Sequence, residues 1–189
     1  MHDNRALVEQ RIHRELDERL RPAVHAERVP FAIAAWSVPG EPVPYEEAMA
    51  AAYEPFALGG AWGRPWGTTW FRFTATVPEA WVGAEVEAVI DLGFRSADAG
   101  FQAEGLVWTD DRPLQGLHPR RTAVPLPDAK AGELVEVVLE AAANPWFPSF
   151  RRSPMGSLDT APAAPIYRLR QADLAILDCT VYDLSLIHI

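Results

Sequence analysis

Residues 70–77, with the sequence WFRFTATV, decide the fold class of this chain. One side of the stretch carries Phe71, Phe73, Ala75 and Val77, and the other carries Trp70, Arg72, Thr74 and Thr76. A period of two places these sets on opposite faces of a β-strand, so residues 70–77 predict a strand with one apolar face.

Further segments repeat this pattern, and turn residues such as Pro78, Gly83 and Gly132 separate them. The predicted strands are 31–36, 85–92, 104–109, 122–126, 133–141 and 172–184. Many short strands with Pro- and Gly-containing turns, and no alternating helices, are typical of a β-sandwich. We therefore expect a mainly β protein with a jelly-roll-like β-sandwich.

Two helices are predicted ahead of most of the strands. Residues 4–21 carry apolar side chains at steps of four, Asn4 can cap the start, and Pro22 is expected to end the helix. A second, short helix is predicted over 45–53, with Pro44 at its entry. The expected organisation is thus an N-terminal helix (1–22) and a β-sandwich (23–184).

The last residues form an unusual end. The predicted strand 172–184 runs into residues 185–189 without a turn or a polar tail, whereas frayed termini expose the side chains they carry. The string LSLIHI (184–189) also resembles translated sequencing adapter. We expect residues 185–189 to be a non-native tail and the chain to be a truncated fragment.

Composition excludes several classes of protein. The 189 residues carry 17 Lys and Arg against 26 Asp and Glu, a net charge of −9, which is unfavourable for binding nucleic acid. No apolar run approaches the roughly 20 residues that span a bilayer, and the polar N-terminus is unlike a signal peptide.

The single cysteine, Cys179, excludes an internal disulfide and is expected as a small buried side chain in a strand. These features favour a cytoplasmic location.

Familiar catalytic motifs are missing from the sequence. The five histidines form no H-x-x-x-H pair, and no nucleophile elbow or phosphate-binding glycine loop occurs. Glu104, between Gln102 and Gly105, is the most notable carboxylate, and it is interpreted mainly as holding a loop by hydrogen bonds. No pair of catalytic carboxylates is predicted.

Tryptophans are the strongest remaining signal. The chain has seven, of which Trp62, Trp66 and Trp70 fall within nine residues and Trp146 lies in the loop sequence NPWFP. Loop tryptophans beside amides and carboxylates suit sugar binding, although large aromatics also plug the ends of a sandwich or pack on a neighbouring domain. The candidate carbohydrate-contact residues are Trp62, Trp66, Trp146, Gln102 and Glu104.

Several blocks of sequence resemble one family. They are WGRPWGTTWFR (62–72), IDLG (90–93), GFQAEGLV (100–107), EAAANP (140–145) and YRLRQADL (167–174). In this order they resemble the N-terminal domain of glycoside hydrolase family 38 α-mannosidases, of the bacterial and fungal vacuolar branch, over residues 5–184. A looser likeness links the W-[FY]-R block to the sandwiches of β-galactosidases.

The resemblance implies a retaining α-mannosidase as the parent protein. In such enzymes zinc, held by two histidines and two aspartates, grips the sugar hydroxyls, and one of those aspartates is the nucleophile. Those residues belong to a following catalytic domain with a His-x-Asp motif that this chain lacks, so no catalytic or metal-ligating residue is assigned here. We expect no cofactor in this fragment and no activity from it alone. The implied partners are the catalytic domain, mannose-containing glycans and other copies in a homo-oligomer; the alternative is a free-standing carbohydrate-binding module.

Overall fold

The computed structural model describes residues 4–97, 100–145 and 158–186. Within these ranges the chain forms twelve strands and four α-helices, two of them joined by a π-helical segment. The strands are β1 (Arg28–Pro30), β2 (Ala32–Ser37), β3 (Glu54–Pro55), β4 (Ala61–Trp62), β5 (Thr68–Thr76), β6 (Val86–Asp91), β7 (Glu104–Thr109), β8 (Arg112–Leu117), β9 (Ala123–Pro125), β10 (Leu134–Ala142), β11 (Tyr167–Arg168) and β12 (Gln171–Ile176). The helices are α1 (Arg5–Glu15), α2 (Arg21–Val24), α3 (Tyr45–Ala50) and α4 (Cys179–Leu186).

The strands build two main antiparallel sheets. Sheet one has six strands in the order β3-β2-β5-β10-β7-β8, and sheet two has four in the order β1-β12-β6-β9. A small third sheet pairs β11 with β4. The architecture is the predicted jelly-roll sandwich, with an additional C-terminal helix.

The core lies between the two main sheets and uses the predicted alternation. Phe71 and Phe73 of β5 are fully buried, and their rings stack with centroids 5.8 Å apart. Sheet two faces them with fully buried side chains such as Ile90 and Leu174. Burial of such a large side chain stabilises the fold by about 1.5–3 kcal/mol.

The opposite face of β5 is also buried, because α3 packs on it. Trp70 is fully buried there in a second cluster that includes Ala48 of α3 and Val138 of β10. The ring of Tyr45, the first residue of α3, stacks on Trp108 with centroids 5.3 Å apart. One helix of six residues thus converts the centre of an outer sheet face into a second core.

The N-terminal helical region runs further than predicted. Pro22 lies in the first turn of α2 instead of ending the helix, since the π-helical segment Leu16–Leu20 joins α1 to α2. The π-helical turn lies just before this proline, whose missing N–H and ring are incompatible with regular α-helical hydrogen bonding to the turn before it. None of the helices in the described ranges has the length and apolarity to span a membrane.

The predicted strand 172–184 is wrong in its second half. Strand β12 ends at Ile176, and α4 covers Cys179–Leu186. Asp178 starts the helix, since its carboxylate accepts the backbone N–H of Val181 at 3.0 Å. Cys179 is therefore an exposed helical residue, not a buried strand residue. The sequence 185–189 is helical up to Leu186, and its last three residues lie outside the described ranges.

Six predicted strands are confirmed to within two residues at each end. They are 31–36, 70–77, 85–92, 104–109, 122–126 and 133–141. The short strands β1, β3, β4 and β11 were missed, and so was β8, where Pro113 suggested a turn alone.

The four outermost strands of the two main sheets each contain a proline. These residues are Pro55, Pro113, Pro30 and Pro125.

Candidate carbohydrate-contact residues and an edge cleft

Trp62 is packed within the sandwich. It is 3% exposed, its ring stacks on that of Tyr167 at 5.5 Å, and the edge of Phe71 meets it at the same distance. Its Nε1–H donates to the backbone oxygen of Leu92 at 2.9 Å. The polar atom of Trp62 is therefore satisfied inside the protein.

Trp66 reaches the surface on an unusual backbone. Its φ is +66°, in the left-handed region that non-glycine residues rarely adopt, and 37% of the residue is exposed. The backbone N–H of Trp66 donates to the oxygen of Ala143 at 3.0 Å, which ties this loop to the end of β10. Residues held in sparsely populated backbone regions cluster at functional sites. Trp146 lies outside the described residues.

Gln102 and Glu104 have different surroundings although they are close in sequence. Gln102 is fully buried; its Oε1 accepts the backbone N–H of Arg95 at 2.7 Å, and its Nε2 donates to the Ser96 oxygen at 3.3 Å. Glu104 is exposed at the start of β7 and accepts a hydrogen bond of 3.3 Å from Asn144 Nδ2. Gln102 thus holds the 95–96 loop, while Glu104 links two strand ends.

The four described candidates do not form one binding surface. Trp66 and Glu104 present surface to solvent, whereas Trp62 and Gln102 direct their polar atoms into the protein. The sugar-contact role of these residues, with Trp146, stays a prediction.

The carboxylates also have structural partners. Asp91 Oδ1 accepts the backbone N–H groups of Gly93 at 2.7 Å and Phe94 at 3.1 Å, which fixes the turn after β6. Asp110 and Asp111 connect β7 to β8, with φ of +53° at Asp110, as expected for a hairpin turn. The described residues contain no group of three or more metal-ligating side chains that could hold an ion.

A cleft at one edge of sheet one includes residues that the sequence patterns do not predict as a site. It has a volume of about 340 Å³ and is lined in part by Trp36, Ser37, Glu54, Phe56 and Thr69, together with the predicted Trp62. We call it the edge cleft. Its lining comes from the four consecutive strands β2 to β5 and the segments between them, and a period-two pattern within one strand cannot reveal such a grouping.

The fold defines a jelly-roll sandwich domain, and sequence comparison identifies its family. Residues 29–175 match the family described as alpha-mannosidase, jelly roll domain. The chain belongs to this family.

Two curated relatives carry the same enzyme name. The chain is 33% identical over 175 residues to alpha-mannosidase 2C1 of Homo sapiens, which covers 89% of this chain and 16% of the relative. It is 32% identical over 150 residues to alpha-mannosidase 2C1 of Mus musculus, covering 76% of this chain and 13% of the relative. The chain therefore spans about one sixth to one eighth of the length of these relatives, and it is homologous to their mannosidase N-terminal domain.

A solved structure supports the fold alone. The crystal structure of the β-glucuronidase from Ruminococcus gnavus superimposes with a TM-score of 0.52 at 11% identity, covering 80% of this chain and 28% of that one. A complex of the same enzyme with an N1-substituted uronic isofagomine gives a TM-score of 0.53 at 12% identity.

Proposed function

We propose that this chain is the non-catalytic N-terminal domain of a retaining α-mannosidase of glycoside hydrolase family 38 that hydrolyses terminal α-mannosides in the cytoplasm. The observation that carries the proposal is the 33% identity over 89% of the chain to a named α-mannosidase about six times as long. The blocks 62–72, 100–107 and 140–145 of the family resemblance lie in strands and turns of the sandwich itself.

The proposed role of the domain is to support a catalytic domain in the same polypeptide. Helix α1 buries none of its residues, and it carries Leu7 and Val8, which are 58% and 50% exposed. Neighbouring exposed apolar side chains can form part of an interface with a partner domain. Contact with the catalytic domain, or with another copy in a homo-oligomer, would cover them.

Zinc belongs to the catalytic domain in this proposal. The residues of the described ranges do not fit the two-histidine, two-aspartate set that the family resemblance implies, since no such group of side chains is found among them. No catalytic step is assigned to the residues of this chain.

The proposal is tested by expressing the reading frame that contains this domain and continues past the codon for Leu184. We expect that product to release the aryl alcohol from an aryl α-mannoside, to lose activity with a zinc chelator, and to leave β-galactosides and β-glucuronides intact. The 189-residue chain is the matched control and should be inactive. Cleavage of a β-glycoside instead, or a stop codon directly after Ile189, would contradict the proposal that the parent protein is an α-mannosidase.

A free-standing carbohydrate-binding module is the second candidate. The edge cleft is the observation that favours it, because it combines aromatic and hydroxyl-bearing side chains in one concave site. This candidate requires sugar binding by the isolated chain, whereas a purely supporting domain requires none.

A further inference from the structure

The edge cleft exists because sheet one is incomplete at its margin. Strand β3 pairs with β2 only at Ala34↔Pro55 and Ala35↔Glu54, so Trp36 and Ser37 of β2 have no partner strand on that side. Three alanines also line the cleft, Ala35, Ala52 and Ala61, and their short side chains leave the space open.

Hydroxyl groups lie together in this cleft. Ser37 Oγ and Thr69 Oγ1 form a long hydrogen bond of 3.5 Å, compared with the usual 2.7–2.8 Å. Thr69 is only 2% exposed, whereas Ser37 is exposed, so the Ser37 hydroxyl is the one that retains hydrogen-bonding capacity for a ligand.

Backbone groups add to this polar lining. Phe56 N–H donates to the oxygen of Ile33, so the backbone groups of Ile33 point toward β3. Because these groups alternate sides along a strand, those of Ala35 and Ser37 point the same way. The Ser37 N–H and C=O therefore face the cleft beyond the end of β3.

A carboxylate and aromatic rings complete the lining. Glu54 is exposed, and in the described part of the chain its carboxylate forms no ion pair. Phe56 is half-buried, so it has ring surface left for contact, whereas the Trp36 side chain packs with Trp70 on the opposite face of sheet one. Hydroxyls, a carboxylate and aromatic surface are the groups that bind the polar edges and C–H faces of a sugar.

We propose that the edge cleft binds one neutral hexopyranose ring. Its volume of about 340 Å³ lies at the lower end of the range of small-molecule sites, about 300–1,000 Å³, which suits one ring and not an oligosaccharide. The Glu54 carboxylate and the net charge of −9 disfavour an anionic sugar such as a uronic acid. The choice of mannose as the first probe rests on the proposed function, but the site itself does not.

Titration of the ¹⁵N-labelled 189-residue chain with D-mannose, followed by amide chemical shifts, tests this site. We expect shifts concentrated at Ser37, Glu54 and Thr69, with a Kd on the order of millimolar, as is reasonable for a few hydrogen bonds and one ring contact. D-Glucose and D-galactose test the breadth of hexose recognition, and D-glucuronate tests the predicted exclusion of anions.

Three variants and two matched controls locate the binding. Ala52→Leu fills the cleft and should weaken mannose binding at least tenfold, and Glu54→Gln should weaken it several-fold. Both residues are exposed, so folding should be retained, and Ala61→Leu is a second cleft-filling variant at an exposed site. Ala50→Leu and Glu47→Gln make the same changes at exposed positions of α3 outside the cleft and should bind as the parent chain does.

The proposal is overturned if none of the neutral hexoses shifts these amides, if the folded cleft-filling variants bind mannose as tightly as the parent chain, or if D-glucuronate binds as tightly as the neutral sugars. Binding by any neutral hexose that is lost in the cleft-filling variants supports it. Because this readout involves no hydrolysis, its failure leaves the α-mannosidase proposal standing.

Discussion

His25 Nε2 lies 2.7 Å from Glu87 Oε2, and this contact fastens the end of the N-terminal helical region to strand β6. Both side chains are mostly buried, with 16% and 11% of their surface exposed. The neighbouring backbone is tied to the C-terminal segment, since Asp178 N–H donates to the oxygen of Val24 at 2.9 Å. The contact thus lies where both ends of the described chain meet sheet two.

Replacement of His25 should destabilise the domain. In His25→Ala the largely buried carboxylate of Glu87 loses its partner, and a lost partner of this kind costs about 1–3 kcal/mol. Urea denaturation measures the change in unfolding free energy. His13→Ala, at an exposed position of α1, is the control and should have little effect. Equal effects of the two substitutions would show that the contact adds nothing to stability.

Two glycines with similar backbone conformations should respond very differently to alanine. Gly93 has φ of +96°, and an added Cβ would lie 2.3 Å from the backbone oxygen of Arg168. Gly83 has φ of +77°, and an added Cβ would meet nothing within 4 Å. Gly83→Ala therefore carries only the conformational cost, about 1–2 kcal/mol, whereas Gly93→Ala adds a clash with backbone.

Thermal unfolding of the two alanine variants checks this difference. We expect Gly93→Ala to lower the unfolding temperature clearly more than Gly83→Ala does, or to prevent folding. Matching unfolding temperatures would contradict the close approach of the turn after β6 to β11.

Glu140 should make the stability of the domain depend on pH. It lies directly opposite Trp70, and burial raises its pKa above the usual 4.5, while a hydrogen bond from Trp108 Nε1 at 3.3 Å acts to lower it. Because the folded pKa exceeds the unfolded one, the folded state binds more protons between the two values. The contribution of Glu140 therefore becomes less favourable as pH rises from the unfolded pKa through the folded pKa.

Substitution of Glu140 isolates this effect. At neutral pH, Glu140→Gln should gain stability relative to the parent chain. At about pH 3 the gain should be smaller, because the side chains of Glu140 and of its Gln replacement are then both uncharged. Trp108→Phe removes the opposing hydrogen bond and should raise the pKa of Glu140 further. Denaturation curves across this pH range give the measurement, and a pH-independent difference for Glu140→Gln would argue against the effect.

In the α-mannosidase that we propose as the parent protein, we expect Trp66 to contact glycans. Trp66→Ala in that protein should raise KM for oligomannose at least several-fold, since the stacking contact expected of this residue, which is 37% exposed, would be lost. A small aryl α-mannoside should be cleaved as before. Val82→Ala, at a residue 80% exposed, is the matched control for loss of exposed apolar surface. Unchanged kinetics on oligomannose would exclude a glycan contact for Trp66.

The sequence predicted those parts of the fold that a local period can reveal. The alternation around Phe71 and Phe73 gave the central strand and its core face, because one side of β5 faces sheet two. Two-residue strands such as β4 were missed, since two residues cannot display a period. The apolar pattern predicts a strand over residues 172–184, but residues 179–184 are helical, because the cap at Asp178 depends on one carboxylate and not on the apolar pattern.

The candidate site was harder to predict than the fold. Trp62 and Trp66 are four residues apart in similar glycine-containing sequence, yet one is core and the other surface. The difference arises from tertiary contacts, since Tyr167 covers Trp62 from a strand about a hundred positions later. Trp36 and Thr69 of the edge cleft were unremarkable as sequence, because their grouping depends on where β3 ends.

The prolines on the outermost strands affect how the protein behaves at high concentration. An exposed strand edge is a template on which another chain can add, and such addition leads to aggregation. Each margin of the two main sheets carries a residue without an N–H, at Pro30, Pro55, Pro113 or Pro125, so none offers a complete ladder to an incoming strand. A sandwich with four such margins can be crowded beside other copies of itself without polymerising through its sheets.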